Sequence, residues 1–343
     1  MLAEMDTARP APRPVASSVD ELLAGADRRE PFHPVEARSG VAFERVRMGG
    51  EPFVVKYVHL DDDFTMRVSG DVGCRTLRAW AAGLYDVAPA AIDHAVVGMA
   101  AGVGRNGWGC ALLMRDVSAH LVPPGDDPFP EDQHLAFLDH LAAMSAATWG
   151  WRDDLDLLPY GARWEFFGAS AIEAERRRGW PEPVPRIAAG GWERFSTVAP
   201  ARIAAVVGEL RHDAAPLATA LAVTPSCFLH GDWKAANLGT TPGGRTLLLD
   251  WMYLGEGPAC HELAWYLALN RARLPAGHTK ERAIDDFRAA LERNGVATAG
   301  WWDRQLGLAL LGALVEFGWE KALGDEDELR WWCGRAEEGI GLL

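Results

Sequence analysis

The residues best equipped for chemistry lie between positions 230 and 250. They are His230-Gly-Asp232-Trp-Lys234-Ala-Ala-Asn237, followed by Leu247-Leu-Leu-Asp250. An Asp and, five residues later, an Asn on one loop can orient an attacking hydroxyl, accept its proton and offer oxygen to a divalent cation. A carboxylate at the end of the next apolar strand supplies a second metal contact. This order, H-x-D-x-x-x-x-N and then D, suits phosphoryl transfer, which asks a protein for positioning, metal ligands and positive charge. Singly, each residue has a plain structural use. Asp232 can cap a turn, Asn237 can bond its own loop, and Lys56 can be a solvated strand lysine whose loss would move stability by no more than about 0.5 kcal/mol. Their joint order carries the weight.

Two kinds of chain must position these groups. Residues 1–16 are rich in Pro and Ala and read as a disordered tail. Ser18 and Glu21 form a capping box for a short helix over 19–24. Strands are expected over 32–37, 42–47 and 53–59, a helix over 71–84, and strands over 91–99 and 110–115. After residue 116 the pattern turns helical: 134–149, 201–210, 262–269, 281–293 and 301–321, with short apolar strands at 226–229 and 246–249. The expected architecture is α+β, with a β-rich N-lobe over 17–115 and a larger α-helical C-lobe over 116–343.

A net charge of -14 excludes a nucleic-acid or anionic-membrane partner, which would need a basic patch. The five cysteines are scattered without a CxxC pair, which points to a reducing, cytoplasmic setting. Cys227/His230 and Cys260/His261 lack zinc-site spacing. The N-terminus has no signal-peptide pattern, and the most apolar helix is too short to span a bilayer. Gly102-Val-Gly104-Arg-Asn-Gly107 fits GxGxxG, but a strand follows where a dinucleotide site needs a helix, so it reads as a hairpin turn.

The 230–250 segment resembles the aminoglycoside phosphotransferase and choline kinase-like superfamily. Gly255-Glu-Gly257-Pro258 and Glu262-Leu-Ala-Trp265 continue the resemblance, which covers the chain from about Phe32 onward. It implies a bilobal protein-kinase-like fold and transfer of the γ-phosphate of ATP (or GTP), with Mg2+, to a hydroxyl of a small molecule. Asp232 is then catalytic, Lys234 contacts the γ-phosphate, Asn237 and Asp250 hold the metal, and His230 braces the loop. Lys56 pairs with nucleotide phosphates beneath the turn at Ser39 and Gly40, and the hinge residues Met114, Arg115 and Val117 receive the base. The chain departs from the pattern where the lysine's helix partner should be Glu. No Glu occurs between Glu51 and Glu131, and Asp71 is the nearest acidic candidate, Asp61 to Asp63 reading as a solvated loop.

For the acceptor, Trp233, Trp251, Glu256, Glu316 and Glu320 are candidate walls, because indoles beside carboxylates suit an amine-bearing polyol. An aminoglycoside, amino sugar or aminocyclitol is the expected substrate. A neutral sugar, an amino alcohol or another metabolite is the alternative, as is a pseudokinase that binds without turnover. A protein kinase is disfavoured, because Trp251-Met252 replaces Phe-Gly after the metal-binding Asp. The expected state is a monomer or homodimer.

Overall fold

The computed structural model describes residues 10–34, 40–270 and 273–343. Its N-terminal layer is a five-stranded antiparallel sheet in the spatial order β1 (Ala26–Phe32), β2 (Ala42–Met48), β3 (Glu51–Val58), β6 (Gly109–Arg115), β5 (Val96–Val103). Successive strand side chains face opposite sides, and both faces of β6 are covered. Cys110, Leu112 and Met114 join the main core, while Ala111 and Leu113 join a smaller cluster with Leu23, Val46, Val55 and Ala100. Lys56 follows Val55 on β3 and lies opposite Leu112. The alternation therefore sends its ammonium to the Leu112 side, toward the helical lobe.

The glycine motif forms the β5–β6 turn. Gly102, Gly104 and Gly107 have φ of 85°, 83° and 68°, and the Gly107 N–H donates to the Gly104 carbonyl at 3.1 Å. The first strand comes earlier than its expected 32–37, and residues 35–37 lie outside the described residues. As a charged edge strand (Ala-Asp-Arg-Arg-Glu-Pro-Phe) it has no apolar alternation to read. The helix expected over 71–84 is only Arg75–Ala81, because Cys74 adopts φ 50° and breaks it at the start. A short helix, Phe64–Val68, precedes it.

The disorder expected through residue 16 does not hold for its last part. Ala16 exchanges hydrogen bonds with Met99 and Ala101 at 2.9 and 3.0 Å. The Trp80 indole donates to the Pro14 carbonyl at 3.0 Å, and the Arg13 guanidinium covers the same ring at 4.2 Å. Residues 1–9 lie outside the described residues.

In the C-terminal lobe the helices Glu131–Ala147, Ala201–His212, Ala259–Leu269, Lys280–Arg293 and Trp302–Leu323 match their expected positions. Trp302–Leu323 is apolar nearly all round and runs through the core, as such a pattern requires. Helices Ala169–Arg177, Pro183–Val198, Ala215–Ala222 and Glu326–Ile340 are additional. Prolines near their starts and Gly190-Gly191 hide two of these from a propensity reading. The lobes are stitched together. β4 (Ile92–Asp93) pairs parallel with β9 (Thr246–Leu248), which also pairs with β8 (Leu238–Thr240). Arg67 forms a buried ion triad with Glu175 and Glu182 at 3.0 and 2.8 Å. No described helix is long and apolar enough to cross a membrane.

Candidate active site

Strand β7 (Cys227–Leu229) delivers the chain into His230-Gly231-Asp232. Gly231 has φ 82°, and a methyl group on it would lie 2.3 Å from Nη1 of Arg163 and 2.6 Å from the Tyr253 carbonyl. Only glycine fits. Its N–H donates to Oε1 of Glu262 at 2.7 Å. The Asp232 N–H donates to Nδ1 of His230 at 3.2 Å. Burial pushes the His230 pKa down to about 3, so the ring stays neutral and accepts that bond. His230 thus braces the loop. Farther along, the Ala235 N–H donates to Oδ1 of Asn270 at 2.7 Å, and the Leu249 N–H donates to the Asn237 carbonyl at 2.9 Å. These bonds tie the loop to the strand that carries Asp250.

The side chains converge. Oδ2 of Asp232 accepts from Nζ of Lys234 and Nδ2 of Asn237, each at 2.8 Å, and Oδ1 accepts from Nε1 of Trp265 at 3.0 Å. Asp232 is buried, and burial raises its pKa above the ordinary value although Lys234 opposes this. Lys56, 7% exposed, reaches from β3 to Oδ1 of Asp250 at 2.6 Å. Burial lowers the Lys56 pKa, but Asp250, then Asp63 and Asp232, overturn this and raise it. For Asp250 the balance mirrors this: burial pushes up, and Lys56 and Lys234 bring it below the ordinary value. Asp250 also holds φ 64°, a left-handed conformation that is uncommon for a non-glycine residue.

Several expectations need correction. Lys56 is neither solvated nor paired with Asp71. Asp71 accepts the Arg75 N–H at 2.9 and 3.0 Å and so anchors the following helix. Asp63, expected in a solvated loop, is buried; it caps helix Phe64–Val68 through the Met66 N–H at 2.9 Å and adds its charge to the field on Lys56. Trp233 and Trp251 are 0% and 1% exposed, and Trp251 stacks on Tyr85 at 4.7 Å, so both are core side chains rather than acceptor walls. Glu316 is sealed at 1% exposure. Glu256 is taken up by Arg152, the Asp153 N–H and the Ser226 hydroxyl, the latter two at 3.0 Å. Glu320 pairs with Lys321 at 2.7 Å.

Gly40 abuts the Asp62 carbonyl, 3.1 Å from where a methyl group would sit, while Ser39 lies outside the described residues. Met114 lies opposite Val54, two positions along the same pair of strands from Lys56. Arg115 closes β6 with its N–H donating to the Ala95 carbonyl at 3.0 Å and its guanidinium on Asp93, and Val117 leads into the C-terminal lobe. Sequence reasoning missed Asp63, Asn270 and Arg163. Only Asp63 left a signal, as an Asp placed three residues before Met66 at a helix start.

A five-stranded sheet carrying a buried lysine, packed on a helical lobe that presents Asp232, Asn237 and Asp250, defines a kinase-fold phosphotransferase. Residues 95–301 match the family model described as "Phosphotransferase enzyme family". That span exceeds half of the chain, and the chain belongs to this family, as a small-molecule kinase. Among solved structures it is similar to amicoumacin kinase in complex with AMP-PNP, Ca2+ and its substrate (TM-score 0.52, 12% identity, 91% of this chain and 88% of that one). It is also similar to a choline kinase from Streptococcus pneumoniae (TM-score 0.49, 10% identity, 95% and 98% covered). A third is a thermostable mutant of an aminoglycoside phosphotransferase (TM-score 0.48, 15% identity, 94% and 97% covered). No curated protein sequence matches the chain.

Proposed function

We propose that the protein transfers the γ-phosphate of ATP to a hydroxyl of a small, amine-bearing polyol such as an aminoglycoside, amino sugar or aminocyclitol. The observation that supports the reaction is the convergence of three separate segments on two hydrogen-bonded sets, Lys56 with Asp250 and Lys234 with Asp232 and Asn237, close enough for their charges to act on one another. Oδ1 of Asp232 holds one donor, Trp265, and has a second lone pair for the acceptor hydroxyl. The hydroxyl gives its proton to Asp232 as its oxygen attacks the γ-phosphorus, and ADP leaves. Burial keeps Asp232 more basic than an ordinary aspartate, which suits a general base. Lys234 releases Asp232 to meet the γ-phosphate, and Lys56 meets the α- and β-phosphates.

The donor set also fits Mg2+, which takes oxygen ligands. Asn237 spends its amide nitrogen on Asp232, which leaves Oδ1 as its ligating atom, and Asp250 has Oδ2 beyond the oxygen that Lys56 holds. When bound, the ion would neutralise charge on the β- and γ-phosphates. The amine on the acceptor rests on the net charge of -14, which favours cations. It gains nothing from Glu256, Glu316 or Glu320, which are engaged or sealed.

The test is ADP release across a panel of aminoglycosides, aminocyclitols, neutral sugars and amino alcohols, with Asp232→Asn as control. Acceptor-dependent turnover should fall by about 10²–10⁴ in the variant, with ATP binding retained. Near-normal turnover by Asp232→Asn would overturn the role of the loop, and a neutral best acceptor would overturn the amine.

A further inference from the structure

Away from the phosphoryl-transfer residues, His134, His278 and Asp286 bring one ligating atom each to within 4.8 Å of one another. Helix Glu131–Ala147 supplies His134, the segment before helix Lys280–Arg293 supplies His278, and that helix supplies Asp286. We propose that these residues bind a first-row divalent transition-metal ion such as Zn2+, with solvent completing its coordination. The ion would clip the two helices together.

The polar atoms are arranged as a metal site requires. His134 is 0% exposed, and the His278 side chain is 4% exposed. Each ring has one nitrogen held by an oxygen partner. Nδ1 of His134 meets the Tyr266 hydroxyl at 2.8 Å, and Nε2 of His278 meets the Glu131 carboxylate at 3.1 Å. The opposite nitrogens, Nε2 of His134 and Nδ1 of His278, are buried without hydrogen-bond partners, as is Oδ2 of Asp286. The nearest cation to that oxygen is Nε of Arg282 at 3.8 Å, beyond hydrogen-bonding distance.

Burying three polar atoms without hydrogen-bond partners is unfavourable, and one cation satisfies all three. Holding the outer nitrogen of a ligating histidine with an oxygen group is the usual way to fix its tautomer and orientation. Two imidazoles and one carboxylate suit zinc and its neighbours rather than Mg2+ or Ca2+. Of the three, His278 and Asp286 are not fully buried. His278 also lines a surface hollow of about 700 Å3 together with Leu274, Lys280 and Trp331.

The test is Zn2+ titration of the chelator-treated full chain by calorimetry, with Mg2+ in large excess to occupy the oxygen-ligand site, and metal content by mass spectrometry. The expected result is one equivalent of Zn2+ and a Zn2+-dependent rise in melting temperature. Both should be lost in His278→Ala and Asp286→Asn, with metal-free circular dichroism unchanged. Glu131→Gln should weaken binding about 10- to 100-fold by loosening His278. Absence of Zn2+ binding, or retention of it in His278→Ala and Asp286→Asn, would overturn the proposal.

Discussion

Replacing Lys56 with Met keeps the aliphatic stem and deletes the charge, which makes it the sharpest probe of the cleft. At the 2.6 Å separation of Nζ and Oδ1, an effective dielectric of about 20 gives about 6 kcal/mol of gross attraction. Most of that repays desolvation of the two charges. Asp250 keeps 31% of its side chain in contact with solvent, which softens the cost of leaving it unpaired. The expected loss in the nucleotide-free protein is therefore about 1–3 kcal/mol, below the 3–5 kcal/mol typical of breaking a fully buried pair. This is several times what a solvated lysine would show. Urea unfolding of wild type, Lys56→Met, Asp250→Asn and the double variant closes a double-mutant cycle, with coupling of about 1–2 kcal/mol expected. Because Lys56 is the main group holding the Asp250 pKa down against burial, that pKa should rise in Lys56→Met. Catalysis should also fall at least about tenfold as the phosphates lose their cation. A Lys56→Met protein within 0.5 kcal/mol of wild type, or a cycle with no coupling, would show that the ion pair contributes nothing.

Asp250→Ala should abolish turnover even at saturating ATP, while nucleotide binding measured without Mg2+ changes little; equal loss with and without the metal would indicate misfolding instead. Burial, helped by Arg13, lowers the His94 pKa to about 4 from 6.5. Between those values the unfolded chain binds the extra proton, so His94 contributes stability that is complete above pH 6.5 and lost as pH falls toward 4, about 3 kcal/mol in all. Urea midpoints should fall on acidification, and less so in His94→Gln.

The β-rich N-terminal and helical C-terminal regions were legible, as was the candidate loop, because both rest on local pattern. The three leucines before Asp250 mark a strand end, and residues 230–237 fit a fixed order on one loop. What failed depends on contacts between distant segments. Lys56 and Asp250 are 194 residues apart, so nothing near Lys56 in sequence could name its partner, and Asp71 was the nearest acid by default. Trp233 lies within the loop and Trp251 follows Asp250, and so both resembled walls of its cleft. Yet a loop held by backbone bonds must pack its large side chains beneath it, and both indoles lie in the core. The His134, His278 and Asp286 cluster escaped for the same reason: 144 residues separate the two histidines, whereas a spacing search looks for close ligands.

Glu316 poses the remaining question, since a carboxylate that near Asp232 could serve the acceptor or the fold. Both its oxygens are buried without hydrogen-bond partners, and burial raises its pKa well above the ordinary value although Arg163 opposes this. Burial thus favours the neutral form of Glu316, and a side chain sealed from solvent cannot reach an ammonium group in the cleft. The charged member of this cluster is Arg163, whose guanidinium is wedged against Gly231 and Gly255; added methyl groups there would lie 2.3 and 2.9 Å from its nitrogens. Its charge also counters the burial that raises Glu262, the acceptor of the Gly231 N–H, to about 7. Glu316→Gln, which fixes a neutral group of the same shape, should leave the acceptor KM within about twofold and stability within about 1 kcal/mol. Arg163→Met should instead cost about 3 kcal/mol or more, because Glu262 loses the buried cation that opposes its desolvation. It should also lower kcat, since the Glu262 pKa would rise and its protonated oxygen would hold the Gly231 N–H less firmly. A tenfold rise in acceptor KM at constant kcat in Glu316→Gln would refute this assignment and return Glu316 to the substrate.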